Sequence, residues 1–270
     1  MNIKLEKAVI INRPSKNIKS PYLADILIDN NIELAHSPAL GLGGLITNNV
    51  NVMVSKCKDE CRKSKYTIQL VKVKDPENKK PIWIGANPNY GNKLFSHFYK
   101  EFIEFNKFTI EKAEVKIGKS RLDFLLSNNK DKFYVEVKNV PLVDYNPDLH
   151  DFKKEKLTYS SLKKYSRAAI FPDGYKNSKC KCISDRAYKH LQELIDLKEK
   201  GFRTALVFII QREDVDYFRP NYLRDKIYSE KLKEAFDQGV EIYAYKFQWK
   251  LKNNYGVCNY LNKISVKFDF

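Results

Sequence analysis

The run Thr204-Ala205-Leu206-Val207-Phe208-Ile209-Ile210 has no charge and no polar alternation, so as a strand it must be covered on both faces. Helical patterns flank it. Ser184 stands as an N-cap before Ala187, Leu191, Leu194 and Ile195 on one face, with Gly201 placed to end the helix. Tyr228 to Gln238 reads as a second helix closed by Gly239, and Val240 to Tyr245 as a further strand. Alternating helices and strands imply parallel pairing through crossovers, hence an α/β architecture with a mixed sheet.

The first third of the chain obeys a different pattern. Ala8 to Asn12, Leu23 to Ile28, Ile32 to Ala35, Val50 to Ser55, Tyr66 to Val73 and Pro81 to Gly85 are short β segments separated by polar, Pro- and Gly-bearing turns, which predicts a small β barrel. Near residue 90 the period changes: Leu94, Phe95, Phe98, Tyr99, Phe102 and Ile103 recur at helical spacing and predict a core-facing helix side. The expected division is therefore a barrel over 1–88, an α/β domain over 89–250 with a polar, basic insertion at about 141–169, and a tail or extra strand over 251–270.

Charge narrows the function classes. Forty-nine Lys and Arg against thirty-three Asp and Glu leave a formal +16, a field that draws polyanions, so nucleic acid is the first partner to consider, DNA ahead of RNA. No apolar run approaches the roughly 20 residues that span a bilayer, and the opening Met1-Asn2-Ile3-Lys4 lacks a signal-peptide core, so no membrane partner and a cytoplasmic or nuclear location are expected, a viral origin staying open. Five cysteines without a signal read as reduced thiols. Oligomeric state is not encoded in any of these features.

The chemistry centres on two strands, Ser120 to Leu126 and Phe133 to Val140, joined by the turn residues Ser127-Asn128-Asn129-Lys130-Asp131. A hairpin centred between Asn129 and Lys130 pairs residues whose numbers sum to 259, which sets Asp123 opposite Glu136. Lys138 shares the Glu136 face because side chains alternate along a strand. Opposed carboxylates repel unless a cation lies between them, so a divalent ion, Mg²⁺ or Mn²⁺, held by Asp123, Glu136 and the backbone carbonyl of Val137 would turn a liability into a hydrolytic site. Lys138 would orient the attacking water or stabilise charge on the phosphate. An ordinary polar strand face accounts for Glu-Val-Lys equally well, and only the opposed Asp separates the two readings.

The chain resembles the sugar fermentation stimulation protein A (SfsA) family. Its second part carries Glu114-Val115-Lys116, Ser120-Arg121-Leu122-Asp123-Phe124, Tyr134-Val135-Glu136-Val137-Lys138-Asn139-Val140, Phe171-Pro172-Asp173, Lys189-His190-Leu191 and Gly239-Val240-Glu241-Ile242-Tyr243-Ala244-Tyr245, and its first part Asn87-Pro88-Asn89-Tyr90-Gly91-Asn92-Lys93-Leu94. The resemblance implies an N-terminal OB-like β barrel followed by a PD-(D/E)XK restriction-endonuclease-like α/β domain, DNA binding, and a metal-dependent nuclease site on Asp123, Glu136 and Lys138. The alternative it leaves open is a non-catalytic DNA-binding transcriptional regulator. Possible accessory residues are an upstream acid, Glu101 or Glu104, together with Glu114, Asp173 and His190. An OB-like barrel binds strands with a basic groove and aromatic platforms, for which Arg62, Lys63, Lys65, Tyr66 and Trp83 are the candidates, Trp83 having barrel packing as its alternative. Arg121 would contact the phosphate beside the scissile one.

Overall fold

The structure is a computed structural model that describes residues 1–39, 41–59, 61–74, 80–118, 120–144, 167–172 and 182–268. Its elements in chain order are β1 (Asn2–Lys4), β2 (Glu6–Asn12), β3 (Leu23–Ile28), β4 (Asn31–His36), β5 (Asn51–Lys56), β6 (Tyr66–Lys74), β7 (Pro81–Gly85), α1 (Tyr90–Phe98), β8 (Thr109–Ile117), β9 (Ser120–Ser127), β10 (Lys132–Val140), β11 (Ala168–Phe171), α2 (Asp185–Glu199), β12 (Arg203–Ile210), β13 (Tyr217–Pro220), α3 (Lys226–Asp237), β14 (Glu241–Lys252) and β15 (Tyr255–Val266).

Strands β2, β3 and β4 form an antiparallel meander, β5 pairs β2 and β6, and a short parallel pairing of β4 with β6 at Ala35↔Tyr66 and His36↔Thr67 closes the ring. The result is a five-stranded mixed barrel without a free edge on its own strands. Period-two alternation sends Ala8 and Ile10, Ala24, Ile26 and Ile28, and Val52 and Val54 into its interior.

The α/β region is a mixed sheet ordered β14-β12-β10-β9-β8, with β12 parallel to both β10 and β14 and β9 antiparallel to β10. The apolar run of β12 divides as its composition demands. Ala205, Val207 and Ile209 enter one core with Leu94 and Phe95 of α1, while Leu206, Phe208 and Ile210 enter the other with residues of α2 and α3. Both helices end in left-handed glycines, Gly201 at φ 85° and Gly239 at φ 87°, with Phe202 N–H returning to Leu197 O at 3.1 Å and Val240 N–H to Ala235 O at 2.9 Å. Ser184 occupies the N-cap position of α2 but its hydroxyl makes no cap bond, whereas the Asp225 carboxylate caps α3 and also accepts from Ile183 N at 2.7 Å.

Two expectations need correction. The helical stripe that begins at Leu94 does not continue to Ile103: α1 stops at Phe98, a 3-10 turn follows, and the change of phase buries Phe102 while leaving Ile103 77% exposed. Phe102 instead stacks on Tyr245 with centroids 3.8 Å apart. The strand read as Val240 to Tyr245 runs on to Lys252, and its far end pairs through Trp249↔Trp83 with β7, which itself pairs with β6 of the barrel. β15 then pairs with β14, β1 and β13. One core consequently holds Leu5, Met53 and Leu70 together with Phe95, Phe105 and Tyr245. The basic insertion at 141–169 is described only at its ends, where Asp144 accepts from Ala168 N at 3.0 Å and pairs with Arg219 at 2.7 Å; residues 145–166 lie outside the described residues.

Candidate metal centre

The β9–β10 hairpin sets the site. A tight turn holds it: Asn128 Oδ1 accepts from Lys130 N at 2.9 Å and from Asp131 N at 2.7 Å. The register that follows pairs Lys132 with Ser127, Phe133 with Leu126, Tyr134 with Leu125 and Val135 with Phe124, each summing to 259. The next step is Asp123 against Glu136, and there the ladder stops. Leu122 packs with α2 and α3 while Phe124 packs with α1, although residues two apart on a regular strand share a face. At the changeover the Asp123 carboxylate takes over the strand's role, its Oδ2 accepting from Val137 N at 2.8 Å.

Helix α1 supplies the second hold. A Cβ on Gly91 would come within 3.3 Å of the Asn139 Cβ, so a glycine lets the helix start close to β10. The next residue, Asn92, donates its side-chain N–H to Asp123 Oδ1 at 2.7 Å. Asp123 thus has both oxygens fixed, yet burial and then the neighbouring Glu136 charge push its carboxyl up to about 6, against the pull of those hydrogen bonds.

Glu136 and Lys138 face α2. Lys138 Nζ donates to Glu136 Oε1 at 2.5 Å, and His190, 2% exposed on α2, hydrogen-bonds the same oxygen through Nδ1. Burial alone would raise the Glu136 carboxyl; the His190 bond and the Lys138 charge outweigh it and hold it below the usual range. Glu136 Oε2 is buried without a hydrogen-bond partner, and so is the Tyr228 hydroxyl of α3, whose pKa is raised by burial and, next, by the Glu136 charge. These two atoms are exceptions to the rule that buried polar groups are satisfied.

The other expected residues fall as follows. Glu104 is committed elsewhere, accepting from Tyr245 Oη at 2.7 Å and pairing with Lys263, and Glu101 is exposed, so the upstream group that meets Asp123 is the amide Asn92 and neither acid. Glu114 is exposed on β8 and pairs loosely with Arg121 at 3.4 Å. Asp173 lies outside the described residues. On the barrel, Arg62 and Lys63 are exposed, Lys65 pairs with Glu33 at 2.8 Å, Tyr66 is half-buried against the barrel core, and half-buried Trp83 packs on the shared core with Lys72 Nζ 5.9 Å from its ring centroid. Of the described cysteines, Cys57, Cys61 and Cys258 are free thiols. Among the described residues no helix is long and apolar enough to cross a membrane.

Sequence reasoning missed Asn92, Tyr228 and Gln211. The last links the two architectures: Gln211 Nε2 donates to Asn139 Oδ1 and, at 3.4 Å, to Asn87 O, while Trp249 Nε1 donates to Gln211 Oε1 at 3.1 Å. Asn92 alone carried a signal, since it adjoins a glycine in the first turn of a helix.

A model of the sugar fermentation stimulation protein RE domain matches residues 89–152 and 158–253. Curated relatives named sugar fermentation stimulation protein homolog include those of Methanosphaera stadtmanae, 32% identical over 247 residues covering 89% of this chain and 88% of that protein, and Trichodesmium erythraeum, 34% identical over 250 residues covering 90% and 85%. The homolog of Pelagibacter ubique is 34% identical over 251 residues, covering 90% and 92%. The solved structure described as Pyrococcus furiosus SfsA in complex with Ca²⁺ superposes with a TM-score of 0.76 at 24% identity, over 99% of this chain and 98% of that one, which shows a common fold. With the barrel, the restriction-endonuclease-like region and these matches together, the chain belongs to the sugar fermentation stimulation protein (SfsA) family.

Proposed function

We propose that this protein is a divalent-metal-dependent phosphodiesterase that cleaves nucleic acid, DNA ahead of RNA, at Asp123, Glu136 and Lys138. The observation that carries the reading is the Glu136 Oε2 atom, buried and unpartnered beside a carboxyl pushed up to about 6. An orphaned buried oxygen next to a crowded carboxylate is the donor set a hard cation fits, and the Pyrococcus furiosus relative was solved with one, Ca²⁺. Asp123, Glu136 and the Val137 carbonyl would hold Mg²⁺ or Mn²⁺, which when bound supplies a Lewis acid and lowers the pKa of a water.

The chain's own residues do the positioning. Asn92 and the Val137 N–H fix both Asp123 oxygens, and His190 with Lys138 holds Glu136 Oε1 so that Oε2 is the oxygen left over. Lys138 presents ammonium protons toward a phosphate oxygen or the attacking water. The +16 surplus, with exposed Arg62 and Lys63 on the barrel, supplies sequence-independent attraction for the polymer.

One observation favours the second reading, a non-catalytic DNA-binding regulator: Lys138 and His190 both already bond Glu136 Oε1, which offsets its charge without a metal. The deciding experiment is cleavage of labelled single- and double-stranded DNA and RNA with Mg²⁺, Mn²⁺ or EDTA, run beside Asp123→Ala and Glu136→Ala. Metal-dependent cleavage that vanishes in both variants is the expected result. Binding without cleavage in all three proteins would establish the regulator instead.

A further inference from the structure

The line of contacts that begins at Glu136 does not end at His190. Arg186 lies one helical turn earlier on α2, at the spacing that puts two side chains on one face, and its Nε approaches His190 Nε2 at 3.5 Å. The ring assignment follows from the partners. With Nδ1 against a carboxylate oxygen, the proton sits on Nδ1, and Nε2 keeps the lone pair that accepts from Arg186. Arg186, His190 and Glu136 therefore make a chain of donors running from an exposed guanidinium to a buried carboxylate.

Two further observations bear on what Arg186 is for. It has no carboxylate partner among the described residues, whereas its neighbours Asp185 and Lys189 pair with each other at 2.7 Å. Lys138, the half-buried cation of the site, donates one of its hydrogen bonds to Glu136, so apart from the proposed metal a phosphodiester arriving there meets a single side-chain cation. A second side-chain cation beside it would hold a neighbouring phosphate of the same strand. With Nε turned to His190, the terminal nitrogens of Arg186 keep the planar fork that matches two phosphate oxygens.

We propose that Arg186 is a substrate-contacting residue of this site, binding a backbone phosphate of the nucleic acid through its guanidinium fork while Nε anchors on His190. The inference rests on the phosphodiesterase reading of Asp123 and Glu136, and it adds from α2 a phosphate contact beside that of Lys138 on the hairpin.

The test is fluorescence anisotropy of a labelled DNA duplex with Ca²⁺ in place of Mg²⁺, over a salt series, for the wild type, Arg186→Ala and Arg186→Lys, together with their thermal unfolding. Arg186→Ala should bind roughly tenfold to a hundredfold more weakly, with a log–log salt slope smaller by about one and an unchanged unfolding temperature, because the side chain is exposed. Arg186→Lys should recover the slope but only part of the affinity. Wild-type affinity and slope in Arg186→Ala would overturn the proposal, as would a binding loss matched by a fall in unfolding temperature. Binding is read without turnover, so the two readings fail separately. Arg186-dependent binding by a protein that cleaves nothing removes the nuclease and keeps the phosphate contact; cleavage with an unchanged KM in Arg186→Ala does the reverse.

Discussion

Asn92 Nδ2 lies 2.7 Å from Asp123 Oδ1, so the helix that enters the site brings an amide where an acid would add a third negative charge. Asn92→Asp should therefore make the metal-free protein less stable at pH 8, by about 1–3 kcal/mol, through the lost bond and the new repulsion. Added Ca²⁺ should restore most of the difference. Denaturant unfolding with EDTA and with Ca²⁺ measures it, and equal stability of variant and wild type in EDTA would contradict the contact.

The Asp123 carboxyl, pushed up to about 6 by burial and the Glu136 charge, gives the stability a direction with pH. A folded-state value above the unfolded one means that the native protein holds a proton which the unfolded chain releases, so stability falls as pH rises from about 4 to about 6 and then levels off. Asp123→Asn keeps an acceptor for Val137 N and removes the titration. In EDTA it should be more stable than wild type above pH 6, by about 1–3 kcal/mol, and should lose that advantage below pH 4. Thermal unfolding across pH 4–8 tests this.

His190 hydrogen-bonds Glu136 from a position 2% exposed, which makes its role one of holding the acid in place. His190→Ala should weaken Ca²⁺ binding by about tenfold to a hundredfold. His190→Gln, which keeps a donor near the same place, should recover part of it. Titration calorimetry on the two variants separates positioning from bulk, since a purely packing role predicts no rescue.

Gly85 has no room for a side chain: a Cβ there would lie 2.1 Å from Gln211 Oε1 and 2.7 Å from Gln211 Cβ, with Gln211 fully buried. Gly85→Ala must displace Gln211 from Asn139 and Trp249 and should cost about 2–4 kcal/mol. A variant that unfolds with the wild-type midpoint would show that the junction tolerates what its geometry forbids.

The hairpin was legible because a local turn determines it. Asn128 fixes the loop, the loop fixes the sum of 259, and alternation does the rest, so Asp123, Glu136 and Lys138 could be placed from one stretch of sequence. β12 was legible for the same kind of reason, since an unbroken apolar run permits only one environment. Asn92 and His190 reach the pair from helices whose approach is set by tertiary packing, at sequence separations of 31 and 54 residues. Glu104 entered through the resemblance, as an acid on a helix; α1 ends at Phe98, before it, and its carboxylate is held by Tyr245 and Lys263. Trp83 kept both of its readings on paper, and its place opposite Trp249 became visible only with the full length of β14.

β14 begins beside β12 in the α/β region and finishes against β7 at the barrel, with a common core beneath it. A strand shared in this way acts as a beam between two rooms of one building. The distance from the barrel to the Asp123–Glu136 pair is therefore a property of the protein's own framework, as the spacing of marks is a property of a ruler.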